Sequence, residues 1–171
     1  MPLVVLIGPP GSGKSSVGKA LAKYLGAPFI DTDSLVERST GRKIAEIFVD
    51  EGEEFFRDLE YTALTKALED EKAVVSLGGG APISERAQSL FQEVDYPIVF
   101  LDISLAAAAP RVGFNRDRPL LLGNPRAQWQ SLYEIRKPIY TRLATTVVKV
   151  DSLTTDQAVQ EIMRGTGIEK H

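Results

Sequence analysis

A chain of 171 residues, 43% hydrophobic and 25% charged, has the length and composition of one globular domain with a substantial core, which excludes a disordered protein. Its formal net charge of −3 and its dispersed basic residues argue against a nucleic-acid partner, because such binding requires a basic face. It has no cysteine and a single histidine, His171 at the C-terminal end, which excludes disulfide bonds, thiolate nucleophiles and a plausible histidine base.

Short apolar runs alternate with helical patterns along the chain, which predicts a parallel sheet covered by helices. The runs are continuously apolar, as expected for strands that are buried on both faces. The predicted strands are 3–7, 28–31, 73–77, 98–103 and 147–150. The predicted helices are 14–25, 34–68 with breaks near Gly41 and Gly52, 84–92, 105–111, 125–143 and 155–164. No repeat or linker interrupts this pattern, so we expect a single domain over residues 1–171.

The turn after the first strand carries the sequence GPPGSGKS at residues 8–15. This is the G-x-x-x-x-G-K-[ST] phosphate loop, in which glycines let successive backbone N–H groups point at phosphate oxygens. The positive end of the following helix adds to this attraction. We expect Lys14 to reach the β- and γ-phosphates and the Ser15 hydroxyl to bind Mg²⁺. The chain is therefore predicted to bind a nucleoside triphosphate.

Carboxylates follow two of the predicted strands. The second strand ends in Asp31-Thr32-Asp33, and both aspartates should face the nucleotide cleft, because ligands bind beyond the carboxyl ends of parallel strands. One could serve the metal while the other binds a hydroxyl of the acceptor. The alternative is that Asp33 or Ser34 caps the next helix. Asp102 ends the fourth strand in a similar way, and periodicity alone does not choose between Asp31 and Asp102 as the metal partner.

The third strand ends in Gly78-Gly79-Gly80, which predicts that a ligand approaches a bare backbone there and bonds to its N–H groups. A simple loop of small residues is the alternative. Arg57 and Arg136 lie in helical stretches and could bind a carboxylate or phosphate, since guanidinium groups are the preferred bidentate partners of such anions. Their alternative is an exposed ion pair, for Arg57 with Glu53 or Glu60.

One stretch departs from the alternation of strands and helices. Residues 113–124 have glycines near both ends and contain Arg116 and Arg118. Such a stretch is either a solvated surface loop or a mobile lid that brings cations over the triphosphate and expels water. The phosphate loop elsewhere in the chain favours the lid.

Taken in order, these segments resemble the shikimate kinases, over nearly the whole chain from the phosphate loop to about Val159. The resemblance implies a P-loop fold of the nucleoside-monophosphate-kinase type, an α/β three-layer sandwich with a five-stranded parallel sheet in the order 2-3-1-4-5. It implies a lid at about 112–124 and a shikimate-binding helical region at about 33–61. The segments that carry it are GPPGSGKS, Asp31-Thr32-Asp33, Gly52-Glu53-Glu54-Phe55-Phe56-Arg57, Gly78-Gly79-Gly80, Arg118-Pro119-Leu120-Leu121 and Arg136 before Pro138-Ile139-Tyr140.

The resemblance also implies the reaction and the residues that perform it. The γ-phosphoryl group of ATP would pass to the 3-hydroxyl of shikimate, in the route to chorismate and the aromatic amino acids. The catalytic residues would be Lys14, Asp33 and Arg118. The residues that bind ATP would be Gly11, Ser12, Gly13, Lys14, Ser15, Ser16, Arg111 and Arg118, with Arg111 along the adenine. The residues that bind shikimate would be Asp33, Arg57, Gly79 and Arg136, and those near Mg²⁺ would be Ser15 and Asp31, with Asp102 structural.

Two features depart from the family pattern. Four alanines precede Pro110, which should disturb the helix just before Arg111, and residues 152–156 match the family's adenine loop only loosely. The alternative functions are a kinase for gluconate or another polyol acid, and a non-catalytic nucleotide-binding module. With no apolar run of the ~20 residues that span a bilayer and no signal peptide, we expect a cytoplasmic protein, and we expect a monomer.

Overall fold

The computed structural model describes residues 1–70, 72–112 and 124–170. Its centre is a five-stranded parallel sheet in the order β2-β3-β1-β4-β5, which confirms the predicted topology. Each strand begins and ends within one residue of its predicted bounds. The strands are β1 (Val4–Ile7), β2 (Phe29–Asp31), β3 (Val74–Ser76), β4 (Ile98–Asp102) and β5 (Thr146–Lys149).

The described ranges contain eight helices. The predicted breaks near Gly41 and Gly52 are present, and they separate three helices of the long helical region. At Gly41 the backbone takes the left-handed φ of 67°, which ends its helix. The helices are α1 (Lys14–Leu25), α2 (Thr32–Thr40), α3 (Ile44–Glu51), α4 (Glu53–Glu69), α5 (Glu85–Leu90), α6 (Leu105–Val112), α7 (Pro125–Leu143) and α8 (Thr155–Thr166). None of them is long and apolar enough to cross a membrane.

The core is deepest around the central strands. Every residue of β1 is at most 1% exposed, and the residues of β3 are also buried. The edge strands differ from the prediction that all strands are buried on both faces. β2 is only half-buried, and Val147 of β5 is 47% exposed, because an edge strand has a neighbour on one side only.

The parallel arrangement brings the carboxyl ends of three strands to the same edge of the sheet. β1 lies between β3 and β4, and its carboxyl end leads into the phosphate loop. β2 ends at Asp31, which lies level with Ser76 of β3. The strand order reverses at β1, and such a switch point is where open parallel sheets bind their ligands. The fold therefore places the phosphate loop, Asp31 and the segment after β3 side by side.

Candidate active site

A cavity of about 710 Å³ opens at the carboxyl ends of β1, β2 and β3. Its lining contains all the predicted site residues except Arg118, which lies outside the described residues together with Arg116 and positions 113–123 of the predicted lid. The predicted residues that line it are Gly11, Ser12, Gly13, Lys14, Ser15, Ser16, Asp31, Asp33, Arg57, Gly79, Arg111 and Arg136.

The phosphate loop has the backbone conformation that its glycines predicted. Gly8, Gly11 and Gly13 have φ values of 148°, 84° and 90°, a region that side-chain-bearing residues rarely adopt. Gly8 also lies close to β4, because a Cβ added there would be 2.6 Å from the carbonyl oxygen of Leu101. The loop therefore needs glycine at this position for space as well as for conformation.

The carbonyl groups of residues 8–11 accept hydrogen bonds from side chains. Lys14 Nζ donates to Gly8 O at 2.8 Å and to Pro9 O at 2.9 Å, and the lysine is only 9% exposed. Trp129 Nε1 donates to the carbonyl of Pro10 at 3.0 Å, and Arg111 Nη1 donates to that of Gly11 at 3.4 Å. These donors offset the partial negative charge of the carbonyls, which would otherwise repel a bound phosphate. The side chain of Ser12 is buried, and its Oγ has no hydrogen-bond partner within the described ranges.

Asp31 connects the phosphate loop to the end of β2. Its Oδ2 accepts a hydrogen bond from Ser15 Oγ at 2.7 Å. Its Oδ1 accepts from the backbone N–H groups of Asp33 at 2.9 Å and Ser34 at 3.2 Å, so Asp31 is the N-cap of α2. The alternative interpretation, in which Asp33 or Ser34 caps this helix, is wrong. Because a carboxylate has two oxygens, Asp31 can cap the helix with one and face Ser15 with the other.

The Ser15 and Asp31 oxygens fit a magnesium site. Mg²⁺ usually binds one or two protein oxygens in kinases and takes its remaining ligands from phosphates and water. In the described part of the chain, no group of three or more His, Cys, Asp or Glu side chains is arranged to hold a metal.

Asp102, the other carboxylate considered for the metal, has different contacts. It accepts a hydrogen bond from the hydroxyl of Tyr133, and Lys137 Nζ lies 3.7 Å from its Oδ2. It does not line the cavity. These contacts tie α7 to β4 and fit a structural role.

Asp33 lies in the first turn of α2, directly after the strand β2. Its carboxylate packs against the backbone of Gly78, where an added Cβ would be 2.5 Å from Oδ1. Burial, followed by the nearby carboxylates of Asp31 and Glu60, raises the pKa of Asp33 to about 6, against the opposing charge of Lys14. Asp33 is therefore an unusually basic carboxylate at the mouth of the phosphate loop.

The glycines after β3 make room for side chains of the site. Gly78 leaves space for the Asp33 carboxylate. Gly80 leaves space for the Arg57 guanidinium in the same way, because a Cβ added at Gly80 would lie 2.4 Å from Arg57 Nη1. The three glycines predicted bare N–H groups that a ligand could bind. For Gly78 this is wrong, because its N–H donates to Thr32 Oγ1 at 3.0 Å.

Arg57 pairs with a buried carboxylate, and the charge of Arg136 acts on the same carboxylate. Arg57 Nη1 lies 2.8 Å from Glu60, whose side chain is 6% exposed, and Arg57 Nε lies 3.5 Å from Glu53. Burial raises the pKa of Glu60, while the charges of Arg57 and Arg136 oppose that shift. Both ion pairs that the sequence suggested are thus present, and Arg57 still lines the cavity. Glu60 forms its ion pair with Arg57 and also lines the cavity.

Arg111 lies beside the phosphate loop. α6 continues through Pro110 to Val112, so the proline, in the last turn, does not end the helix before Arg111. The guanidinium contacts Gly11, and the loosely matching residues Leu153, Thr154 and Thr155 line the same cavity. The placement of Arg111 along an adenine stays a prediction.

Comparison with known proteins decides the family. A family model described as shikimate kinase matches residues 10–166. The chain belongs to the shikimate kinase family. Shikimate kinases from Thermobifida fusca and Rhodococcus jostii are 45% and 43% identical to it over 163 residues, covering 95% of this chain and 94% and 96% of theirs. The structure of shikimate kinase from Acinetobacter baumannii in complex with shikimate matches with a TM-score of 0.88 and 31% identity, over 94% of this chain and 90% of that one.

Membership of the shikimate kinase family establishes the fold class and the class of enzyme. The chain is an ATP-using kinase with the P-loop fold. The predicted family and enzyme class are confirmed. The two alternatives, a polyol-acid kinase and a non-catalytic nucleotide-binding module, are not supported.

Several residues of this shikimate kinase site were not predicted from the sequence as parts of it. Glu60 was considered only as a surface ion-pair partner, although its position three residues after Arg57 on a helix was the available signal. Phe48 and Phe56 line the cavity, with ring centroids 4.7 Å apart, and the Arg57 guanidinium lies 5.9 and 5.3 Å from their centres. They form an apolar wall beside Arg57.

Proposed function

We propose that this chain transfers the γ-phosphoryl group of ATP to the 3-hydroxyl of shikimate, giving shikimate 3-phosphate in the route to chorismate and the aromatic amino acids. The observation that carries the proposal is that one cavity combines the phosphate loop with Asp33, Arg57 and Arg136. Shikimate is a small hydroxylated carboxylic acid. Two guanidinium groups suit its carboxylate, and Asp33 suits a hydroxyl.

The donor half of the site would hold ATP through the backbone of residues 11–16 and the side chain of Lys14. Ser15 and Asp31 would hold Mg²⁺, which neutralises charge on the β- and γ-phosphates when it is bound. Arg118 would complete the donor half by descending onto the phosphates with the lid, a role that falls outside the described residues. Arg111 would lie along the adenine.

The acceptor half would hold shikimate between α2, α4, the glycine segment and α7. Arg57 and Arg136 would bind its carboxylate, Gly79 would offer its backbone, and Asp33 would orient the attacking hydroxyl. Phosphoryl transfer passes through a loose transition state, so orientation and charge neutralisation matter more than a strong base. With a pKa of about 6, Asp33 is mostly ionised at neutral pH and still basic enough to accept the hydroxyl proton.

A coupled assay of ADP release tests the proposal directly. Purified protein with Mg-ATP is offered shikimate, quinate or gluconate at equal concentrations. We expect turnover that depends on shikimate and exceeds the rate with the other two acids. ADP release that does not depend on shikimate, or that is faster with gluconate, would overturn the assignment. A monomer, a single domain and a cytoplasmic location stay predictions.

Replacement of Arg136 with alanine is expected to raise the KM for shikimate by roughly 10- to 100-fold, because a charge-assisted bond to the carboxylate is lost. The KM for ATP should change less than about twofold. Arg142, an exposed arginine on the same helix outside the cavity lining, provides the control as Arg142→Ala. Equal changes in the two KM values of Arg136→Ala would place Arg136 outside the acceptor half.

Replacement of Gly80 with alanine is expected to raise the KM for shikimate with little loss of thermal stability. The new methyl group would overlap the Arg57 guanidinium, a flexible group that can move away and leave its partner Glu60. The control is Gly26→Ala at the C-cap of α1, where φ is 67° and nothing lies within 4 Å of an added Cβ. Gly26→Ala should cost about 1 kcal/mol of stability without changing either KM. An unchanged KM in Gly80→Ala would contradict this account of the glycine segment.

A further inference from the structure

Helix α7 presents a column of buried aromatic residues to β4. Trp129, Tyr133 and Tyr140 are 4%, 7% and 0% exposed, and their spacing puts them on one face of the helix. The Trp129 and Tyr133 rings are stacked with centroids 5.0 Å apart, and Tyr140 packs on Phe100 of β4 at 5.1 Å. Neither Trp129 nor Tyr140 lines the cavity. Their polar atoms are nevertheless directed at the two loops that form it.

Trp129 holds the donor loop. Its Nε1–H donates to the carbonyl of Pro10, the third residue of the phosphate loop, at 3.0 Å. Proline has no backbone N–H, so this carbonyl is the only backbone group through which a hydrogen bond can hold residue 10. The indole thus connects the phosphate loop to a helix 119 residues further along the chain.

Tyr140 holds the acceptor side. Its hydroxyl donates to the carbonyl of Gly79 at 2.6 Å and also shares a hydrogen bond with Arg136. Burial raises the pKa of Tyr140 to about 12, so the hydroxyl keeps its proton and remains a donor at physiological pH. One hydroxyl therefore contacts both a backbone group and a guanidinium of the proposed shikimate site.

The two loops touch each other between these contacts. A Cβ added at Gly79 would lie 3.2 Å from Pro10 Cδ and 3.6 Å from Gly8 O. The helix that spans both loops carries Trp129 and Tyr140 about 16 Å apart along its axis. Because phosphoryl transfer requires the reacting atoms within about 3.5 Å of each other, small shifts of either loop reduce the rate.

We propose that α7 sets the two halves of the site relative to each other, with Trp129 as a positioning residue for the phosphate loop and Tyr140 as a positioning residue for Gly79 and Arg136. The Tyr140 half rests on the proposed function, since its readout is shikimate. The Trp129 half requires only nucleotide binding.

The test uses Trp129→Phe and Tyr140→Phe, which keep an aromatic ring and remove one donor each. Trp129→Phe is expected to raise the KM for ATP and the Kd for ADP about three- to tenfold and to leave the KM for shikimate within about twofold. Tyr140→Phe is expected to raise the KM for shikimate about three- to tenfold and to leave the KM for ATP and the Kd for ADP within about twofold. Tyr133→Phe is the matched control from the same helix face, because its hydroxyl bonds to Asp102 and to neither loop. It should shift the two KM values equally or not at all.

Two further measurements keep the outcomes distinct. The Kd for ADP, measured by calorimetry, tests Trp129 even if the protein fails to phosphorylate shikimate. Trp129 is the only tryptophan of the chain, so its fluorescence reports on the Pro10 contact without any substitution. We expect ADP to change the emission of the unmodified protein and of Tyr140→Phe. Three results would each overturn the proposal: an unchanged emission, an unchanged Kd for ADP in Trp129→Phe, or equal changes of the two KM values in both variants. A merely structural role would lower Tm without separating the KM for ATP from the KM for shikimate.

Discussion

Replacing Lys14 with methionine is expected to lower kcat by on the order of 10³-fold. Methionine keeps most of the apolar stem and removes the ammonium group, so the charge that develops on the transferred phosphoryl group loses a stabilising cation. The hydrogen bonds to Gly8 and Pro9 are lost as well, and we expect a small decrease of Tm.

The Lys14→Met result is read from kcat in the ADP-release assay together with Tm and the circular dichroism spectrum. Lys19 is an exposed lysine on the same helix, so Lys19→Met is the matched control and should retain full activity. A Lys14→Met protein that is folded and keeps more than about a tenth of kcat would show that the lysine is not part of the chemistry.

Replacing Asp33 with asparagine is expected to lower kcat by on the order of 10²- to 10³-fold. The amide has nearly the same shape and can still contact a hydroxyl, but it cannot take a proton. In the unmodified protein, kcat/KM for shikimate should fall as the pH drops below about 6, because Asp33 becomes protonated there. That dependence should be absent from Asp33→Asn. If Asp33→Asn keeps the full rate, the proton-accepting role of Asp33 is wrong.

The same substitution should stabilise the fold at neutral pH. The pKa of Asp33 rises from its ordinary value of 3.8 to about 6 on folding, so between these values the folded chain binds more protons than the unfolded chain. Its contribution to stability is therefore present below about pH 4 and is lost as the pH rises through about 6. Asp33→Asn should increase the free energy of unfolding at pH 7 by about 1–3 kcal/mol. Urea unfolding of the unmodified protein and of Asp33→Asn at pH 5 and pH 7 measures this difference in the free energy of unfolding. Asp95 is exposed, so Asp95→Asn is the control.

The features that the sequence predicted well depend on residues close together in the chain. The phosphate loop, the break at Gly41 and the ends of the strands follow from local backbone preferences and from short apolar runs. The alternative that Asp33 or Ser34 caps α2 named the wrong residues, because Asp31, Asp33 and Ser34 are all good capping residues. Their hydrogen bonds, and not their types, select Asp31.

The burial of the strands was predicted less well, because it depends on the position of each strand in the sheet. A run of apolar residues shows that a strand is buried but not where in the sheet it lies. β2 and β5 have such runs and form the edges, so Val147 remains exposed despite its apolar neighbours in sequence. The glycine segment is similar. The sequence shows three missing side chains, and only the packing shows that Asp33 and Arg57 occupy the space.

By itself the sequence determined the phosphate loop and the family, because this loop is one continuous stretch whose function lies in its own backbone. The tertiary structure alone decided how the two loops of the site are held. Trp129 reaches Pro10 across 119 residues, and Tyr140 reaches Gly79 across 61. Hydrogen bonds between such distant positions depend on which helix packs against which strand, and that placement is a property of the folded chain as a whole.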